Sequence, residues 1–111
     1  NKRFVAEFEK EYKRLPTSYA ASAFDTAMLI DAAVREVKGR VEDKEAFRKA
    51  IRNAKWQSVR GDFKFNANQF PIQNYYLQVV GKDGNGRLVQ KTMGTVLKER
   101  GDAYVQDCKM K

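Results

Sequence analysis

The stretch Arg60-Gly61-Asp62-Phe63-Lys64-Phe65-Asn66 is where the hydrophobic period of this chain changes. Phe63 and Phe65 alternate with Asp62, Lys64 and Asn66, a period of two that belongs to a strand. Upstream of this point apolar residues recur at helical spacing, and downstream they alternate again. The reading of the fold follows from that switch: three helices come first and about three strands come after.

Working back from Arg60, a third helix carries Phe47, Ala50, Ile51 and Ala54 on its inner face, with Asp43 placed as N-cap so that its carboxylate accepts from free first-turn amides. Asn53 to Trp56 closes it, Trp56 covering its end as a bulky apolar residue. Before it, Tyr19 to Lys38 predicts a longer helix stopped by Gly39. Its alanines at 20, 21, 23, 27, 32 and 33 favour the helix and allow close neighbours, as expected of a helix buried on more than one side. The first helix, Phe4 to Leu15, places Phe4, Phe8, Tyr12 and Leu15 on one stripe, and Pro16 ends it because its ring crowds the preceding residue out of the α region. The chain opens at Asn1 without a methionine and enters this pattern almost at once, a start expected of a trimmed polypeptide.

Working forward, Asn66-Ala67-Asn68-Gln69-Phe70-Pro71 is polar, amide-rich and punctuated by proline, and reads as a connection. Tyr75 to Val80 and Leu88 to Met93 are β-branched and aromatic, and flank Gly81-Lys82-Asp83-Gly84-Asn85-Gly86, which predicts a hairpin. A helical half followed by a strand half fits α+β if the chain is one whole domain. The same order fits pieces of two lobes, each completed by sequence elsewhere.

With 111 residues the chain holds at most one ordinary domain, and 42% hydrophobic residues suffice for a packed core. The mean hydropathy of -0.69 reflects abundant charge. No run approaches the roughly 20 apolar residues needed to span a bilayer. The formal charge of +8 raises the question of a polyanionic partner. Basic residues are interleaved with acids, as in Glu7, Glu9, Lys10, Glu11, Lys13 and again in Glu42, Asp43, Lys44, Glu45, so a solvated mixed-charge face is expected and nucleic acid is not.

Histidine is absent, which removes the usual general base and the commonest metal ligand, and with them a Ser-His or Cys-His nucleophile. The single Cys108 cannot form an internal disulfide or a structural zinc site. The glycines at 81, 84 and 86 lie between strands, so they make no phosphate loop, and Asp83-Gly84-Asn85-Gly86 is a turn that lacks the later residues of a calcium loop. Asp25 and Asp31 fall on different faces of their helix, each expected as a cap, a surface charge or a partner for an arginine. No catalytic centre, metal or cofactor is therefore expected. Tyr19 is the candidate binding residue: at the mouth of a helix with free first-turn amides, its ring and hydroxyl can wall a bound solute, or else pack the helix entry against the core.

The run Tyr19-Ala20-Ala21-Ser22-Ala23-Phe24-Asp25-Thr26-Ala27, preceded by Phe8, Tyr12 and Leu15-Pro16, resembles a segment of the type I periplasmic solute-binding proteins of ABC transporters, the branched-chain amino acid receptor family. Arg60 to Asn66 followed by Pro71-Ile72-Gln73-Asn74-Tyr75-Tyr76 is similar to that family's late glycine-initiated strand and return crossing. The resemblance implies an α/β fold, with this chain as the C-terminal part of a two-lobed receptor. Residues 1–60 would be the helical portion of one lobe, 61–74 a strand and hinge crossing, and 75–111 the hairpin and tail of the other lobe.

It further implies a substrate-binding component in the periplasm. Such a component captures an amino acid or related small carboxylate by lobe closure and delivers it to a permease in the inner membrane. By position Tyr19 matches the aromatic wall residue of the family. The chain departs from the family in lacking the N-terminal lobe's serine, alanine and threonine loops and its acidic residue, so weak or no binding by this portion alone is expected. Cys108 would pair with a cysteine in that missing N-terminal part, and uncovered strand edges would favour a homodimer or domain swap. The competing expectation from the residues alone is a self-contained basic α+β interaction domain directed at nucleic acid.

Overall fold

A computed structural model describes residues 1–110; Lys111, the last residue of the expected C-terminal tail, lies outside the described residues. The chain divides into two compact units, Asn1–Gly61 and the residues from Asp62 onward.

The first unit holds α1 (Lys2–Tyr12), α2 (Ser18–Glu36) and α3 (Lys44–Asn53). The end of α1 corrects the sequence reading. Lys13 turns into the left-handed region with φ 55° and its amide still reaches Glu9 at 2.9 Å, so the helix stops before Leu15 and Pro16. The aromatic stripe is nevertheless real, with Phe4 against Phe8 at 5.9 Å between ring centroids, Phe8 against Tyr12 at 4.5 Å, and Phe4 against Phe24 of α2 at 4.8 Å. Phe4 is buried there, a burial that contributes on the order of 2 kcal/mol.

α2 likewise ends earlier than Lys38. Gly39 N donates to Val34 O and Lys38 N to Arg35 O, the paired bonds of a left-handed helix stop in which Lys38, at φ 54°, takes the position glycine usually holds. The second small core lies where α2 meets α3: Ala33, Val37 and Ala50 are buried, with Ala46, Phe47 and Ile51 packed against them. Asp43 caps α3 as expected, accepting from Ala46 N at 3.0 Å.

α2 is not covered on more than one side. Tyr19, Ala23, Thr26, Ala27 and Ile30 are all exposed, and a helix repeats its face at this spacing, so they form one continuous uncovered stripe. The alanine content signalled a helix that neighbours can approach closely, yet this side of it is exposed.

The second unit is a three-stranded antiparallel sheet in the order β1 (Lys64–Phe65), β2 (Pro71–Lys82), β3 (Leu88–Arg100), followed by a single 3-10 turn at Val105–Asp107. Lys64 pairs with Ile72 and Phe65 with Pro71, so the amide-rich segment is a tight turn in which Asn66 N donates to Phe70 O at 2.8 Å. Pro71 to Asn74, expected within the connection and crossing, are the opening residues of β2; proline is tolerated as the first residue of a strand. Asn68 is buried in this turn and donates to Asp102 at 2.7 Å, tying it to the segment that follows β3.

β2 and β3 run well past the expected strand ends, from Gln73 paired with Arg100 to Lys82 paired with Leu88, with irregular register near Tyr75 and Leu77. Asp83 closes the hairpin, its Oδ1 accepting from Asn85 N and Arg87 N and its Oδ2 from the Arg87 guanidinium. With its oxygens so occupied, Asp83 belongs to a plain turn, as read from the sequence. The ribbon leaves Tyr75, Tyr76, Leu77, Val79 and Val80 exposed, with Gln78 on the Tyr76 and Val80 side donating to Thr92 at 3.3 Å across the strands.

Candidate functional site

The Leu15-Pro16-Thr17 break delivers the chain into α2 in an extended conformation, with Thr17 at φ -89° and ψ 172°. Thr17 Oγ1 accepts from Ala20 N at 3.3 Å and its carbonyl from Ala21 N at 3.1 Å. These two bonds leave the amides of Ser18 and Tyr19 without an acceptor among the described residues, as the first turn of a helix does.

Tyr19 stands on that turn with 85% of its surface exposed. It therefore does not pack the helix entry against the core, which was the other role open to it. What it can do chemically is present a flat apolar ring and a hydroxyl at the head of an uncovered helical stripe.

A second constellation, not anticipated as a unit, lies on the opposite side of α2. Asp25 is only 2% exposed and takes three hydrogen bonds from one short segment: Ser58 Oγ at 2.6 Å, Val59 N at 2.9 Å and Arg60 Nε at 2.9 Å. Of its expected roles, partner for an arginine is the one realised, while Asp31 is the surface charge, paired with Arg35 one turn on. A carboxylate satisfied by three donors is built to hold backbone in place, not to transfer protons. Beyond the clasp the chain leaves through Gly61 at φ 108°, a conformation that costs glycine little. The only sequence signal for this site was an aspartate inside an alanine-rich helix.

Two open hollows accompany these features. One of about 500 Å3 lies along the solvent side of α3 between Glu45, Arg48, Lys49 and Arg52; one of about 130 Å3 lies between Asp62, Lys64, Gln73, Asn74 and Glu99. Neither touches Tyr19. Among the described residues no group of acidic or cysteine side chains is placed to hold a metal ion, and no helix is long and apolar enough to cross a membrane. Each helix carries one exposed ion pair along its length, Arg3 with Glu7, Arg35 with Asp31 and Arg48 with Glu45, in keeping with a solvated mixed-charge surface.

Comparison with known families brings these observations together, because the family model described as periplasmic binding protein matches residues 1–85. The chain belongs to the periplasmic binding protein family. Among solved structures it is similar to the solute-binding protein of an ABC transporter from R. palustris in complex with benzoate, at 33% identity and a TM-score of 0.82, covering 97% of this chain and 28% of that one. It shares its fold with an ABC transporter substrate-binding protein from Sphaerobacter thermophilus, at 22% identity and a TM-score of 0.79, covering 88% of this chain and 27% of that one.

No curated protein matches the chain. This periplasmic binding protein chain thus spans under a third of the length of the solved structures it matches, and its helices and sheet are a part of their α/β fold. The first of these structures is a solute-binding protein with benzoate bound.

Proposed function

We propose that this chain is one portion of the solute-binding component of an ABC transporter, which captures a small carboxylate in a cleft that closes between two lobes. The observation that carries this reading is the 33% identity, at a TM-score of 0.82 over 97% of the chain, to a protein solved with benzoate. Benzoate has a carboxylate and no ammonium group, so the chemistry it shares with the amino acids first considered is the carboxylate. Tyr19 is the residue of this chain assigned to the solute, as an aromatic wall beside its side chain or ring. The loops that grip the carboxylate belong to the remainder of the same polypeptide.

That remainder also has a packing role in this reading. The uncovered stripe of α2 and the exposed apolar side chains of the β2–β3 ribbon need cover, since a two-stranded ribbon alone is marginal in water. Separated from its cover the chain would pair with itself as a homodimer or domain swap. Residues 61–74 are assigned to the crossing between lobes, and closure about it presents the loaded receptor to an inner-membrane permease on the periplasmic side.

The test is the intact mass of the gene product in the cell envelope, followed by calorimetric titration of that product with benzoate and with leucine. A product much longer than this chain that binds one of the two, with an affinity little changed by salt, is expected. A product of 12.8 kDa, or one that binds neither and instead takes up nucleic acid with steep salt dependence, overturns the reading.

A further inference from the structure

We infer that Asn85 is a site of spontaneous deamidation and isoaspartate formation, built into the tip of the β2–β3 hairpin. Of the asparagines in the chain, at 1, 53, 66, 68, 74 and 85, only Asn85 is followed by glycine. The reaction needs the backbone nitrogen of the following residue to reach the side-chain carbonyl carbon, and a side chain on that residue hinders the approach. At Gly86 there is none, and a Cβ built there would meet nothing within 4 Å, nor would one at Gly84. The site is therefore open on both sides of Asn85.

Asn85 itself is exposed, and its side-chain amide has no partner among the described residues; the hydrogen bond it makes is through its backbone nitrogen to Asp83. The contrast with its fellows is specific. Asn68 is buried and bonded to Asp102, the Asn66 side chain accepts from Ala67 N, and the Asn74 side chain accepts from Glu99 N. Gly86 N, the attacking atom, donates to Asp83 O at 3.1 Å, a bond at the hairpin tip that opens before the reaction.

The step balances with water as the sole co-reactant. Gly86 N attacks Asn85 Cγ, a bond forms between them, the Cγ–Nδ2 bond breaks, and the nitrogen leaves as ammonia carrying the proton lost from Gly86. Water then opens the five-membered imide. Attack at Cγ restores the main chain with aspartate at position 85. Attack at the main-chain carbonyl carbon leaves the chain running through the side chain, one methylene longer. No atom changes oxidation state in the sum. Either product puts a new carboxylate beside Asp83, and the second lengthens the loop that Asp83 N and Arg87 O close at 2.9 Å. The consequence is a hairpin whose tip loosens with age.

The experiment is incubation of the folded protein in warm, mildly alkaline buffer, followed by peptide mapping with mass detection and enzymatic assay of isoaspartate. The peptide containing Asn85 is expected to convert first, splitting into aspartate and isoaspartate forms, while those containing Asn53, Asn66, Asn68 and Asn74 stay largely intact. The Asn85→Gln variant, which must close a larger ring, is expected to lose the signal while keeping the same circular dichroism. Conversion of Asn85 no faster than that of Asn53, or undiminished isoaspartate in the variant, overturns the inference.

Discussion

Arg60 Nε donates to Oδ2 of Asp25 at 2.9 Å, joining two residues 35 positions apart in the chain. Ser58 and Val59 use the same carboxylate, so the segment leaving α3 is held to α2 by one side chain. Replacement of Asp25 by Ala leaves a part-buried amide and a hydroxyl without their acceptor, and about 3 kcal/mol of stability is expected to go. Arg60→Ala costs less, about 1 kcal/mol, because the guanidinium is 38% exposed and water screens the pair. Urea denaturation of the two variants checks the order. Equal losses would mean that the ion pair, and not the three-donor set, holds the segment.

Acidification should reach the hairpin tip only late, at low pH. Asp83 is held below its ordinary value, chiefly by the backbone amide of Arg87 and then by the Arg87 guanidinium, with the Asn85 amide adding to both against a desolvation that works the other way. The folded state thus binds the proton less readily than the unfolded chain. The turn's contribution is complete above the ordinary carboxylate range and is lost as pH falls through the depressed folded value. A carboxyl-resolved NMR titration should show Asp83 protonating late, and Asp83→Asn should remove this pH dependence from the hairpin's unfolding.

Gly101 meets Asn66 and Ile72 so closely that a side chain there would make them shift. A Cβ there would lie 2.9 Å from Nδ2 of Asn66 and 3.3 Å from Cγ1 of Ile72. Gly101→Ala is expected to destabilise the strand unit by about 1–2 kcal/mol through overpacking. Hydrogen exchange at the Asn66 amide, which donates to Phe70 O, and at its neighbours reads the effect locally; unchanged protection would place the contact outside the turn's energetics.

Tyr19 separates folding from binding. Because the side chain is 85% exposed, Tyr19→Ala should leave the unfolding midpoint of this chain nearly unchanged, within about 0.5 kcal/mol. In the full gene product the same change is expected to weaken the bound carboxylate by about 1 kcal/mol, roughly fivefold, with Tyr19→Phe keeping most of it if the ring supplies the wall. Loss with both variants would assign the role to the hydroxyl.

What the sequence determined by itself is local or patterned. Helix and strand periods, the Asp43 cap and the Asp83-to-Gly86 turn each depend on residues within a few positions, and the Tyr19-to-Ala27 run carried the family. Tertiary structure decided the rest. Which donors Asp25 would collect depends on how α3 returns the chain to α2, and that Asn68 meets Asp102 depends on the sheet's closure; neither partner is near in sequence. The length of β3 was hidden for a related reason. Alternation marks a strand only when one face is buried, and from Leu88 to Arg100 neither face is buried within this chain. The ends of α1 and α2 were misplaced because lysines, Lys13 and Lys38, adopt the left-handed conformation that stops a helix, three residues before the Pro16 signal and one before the Gly39 signal. A helix stop is fixed by the hydrogen bonds its last carbonyls find, and those are settled by packing and not by composition.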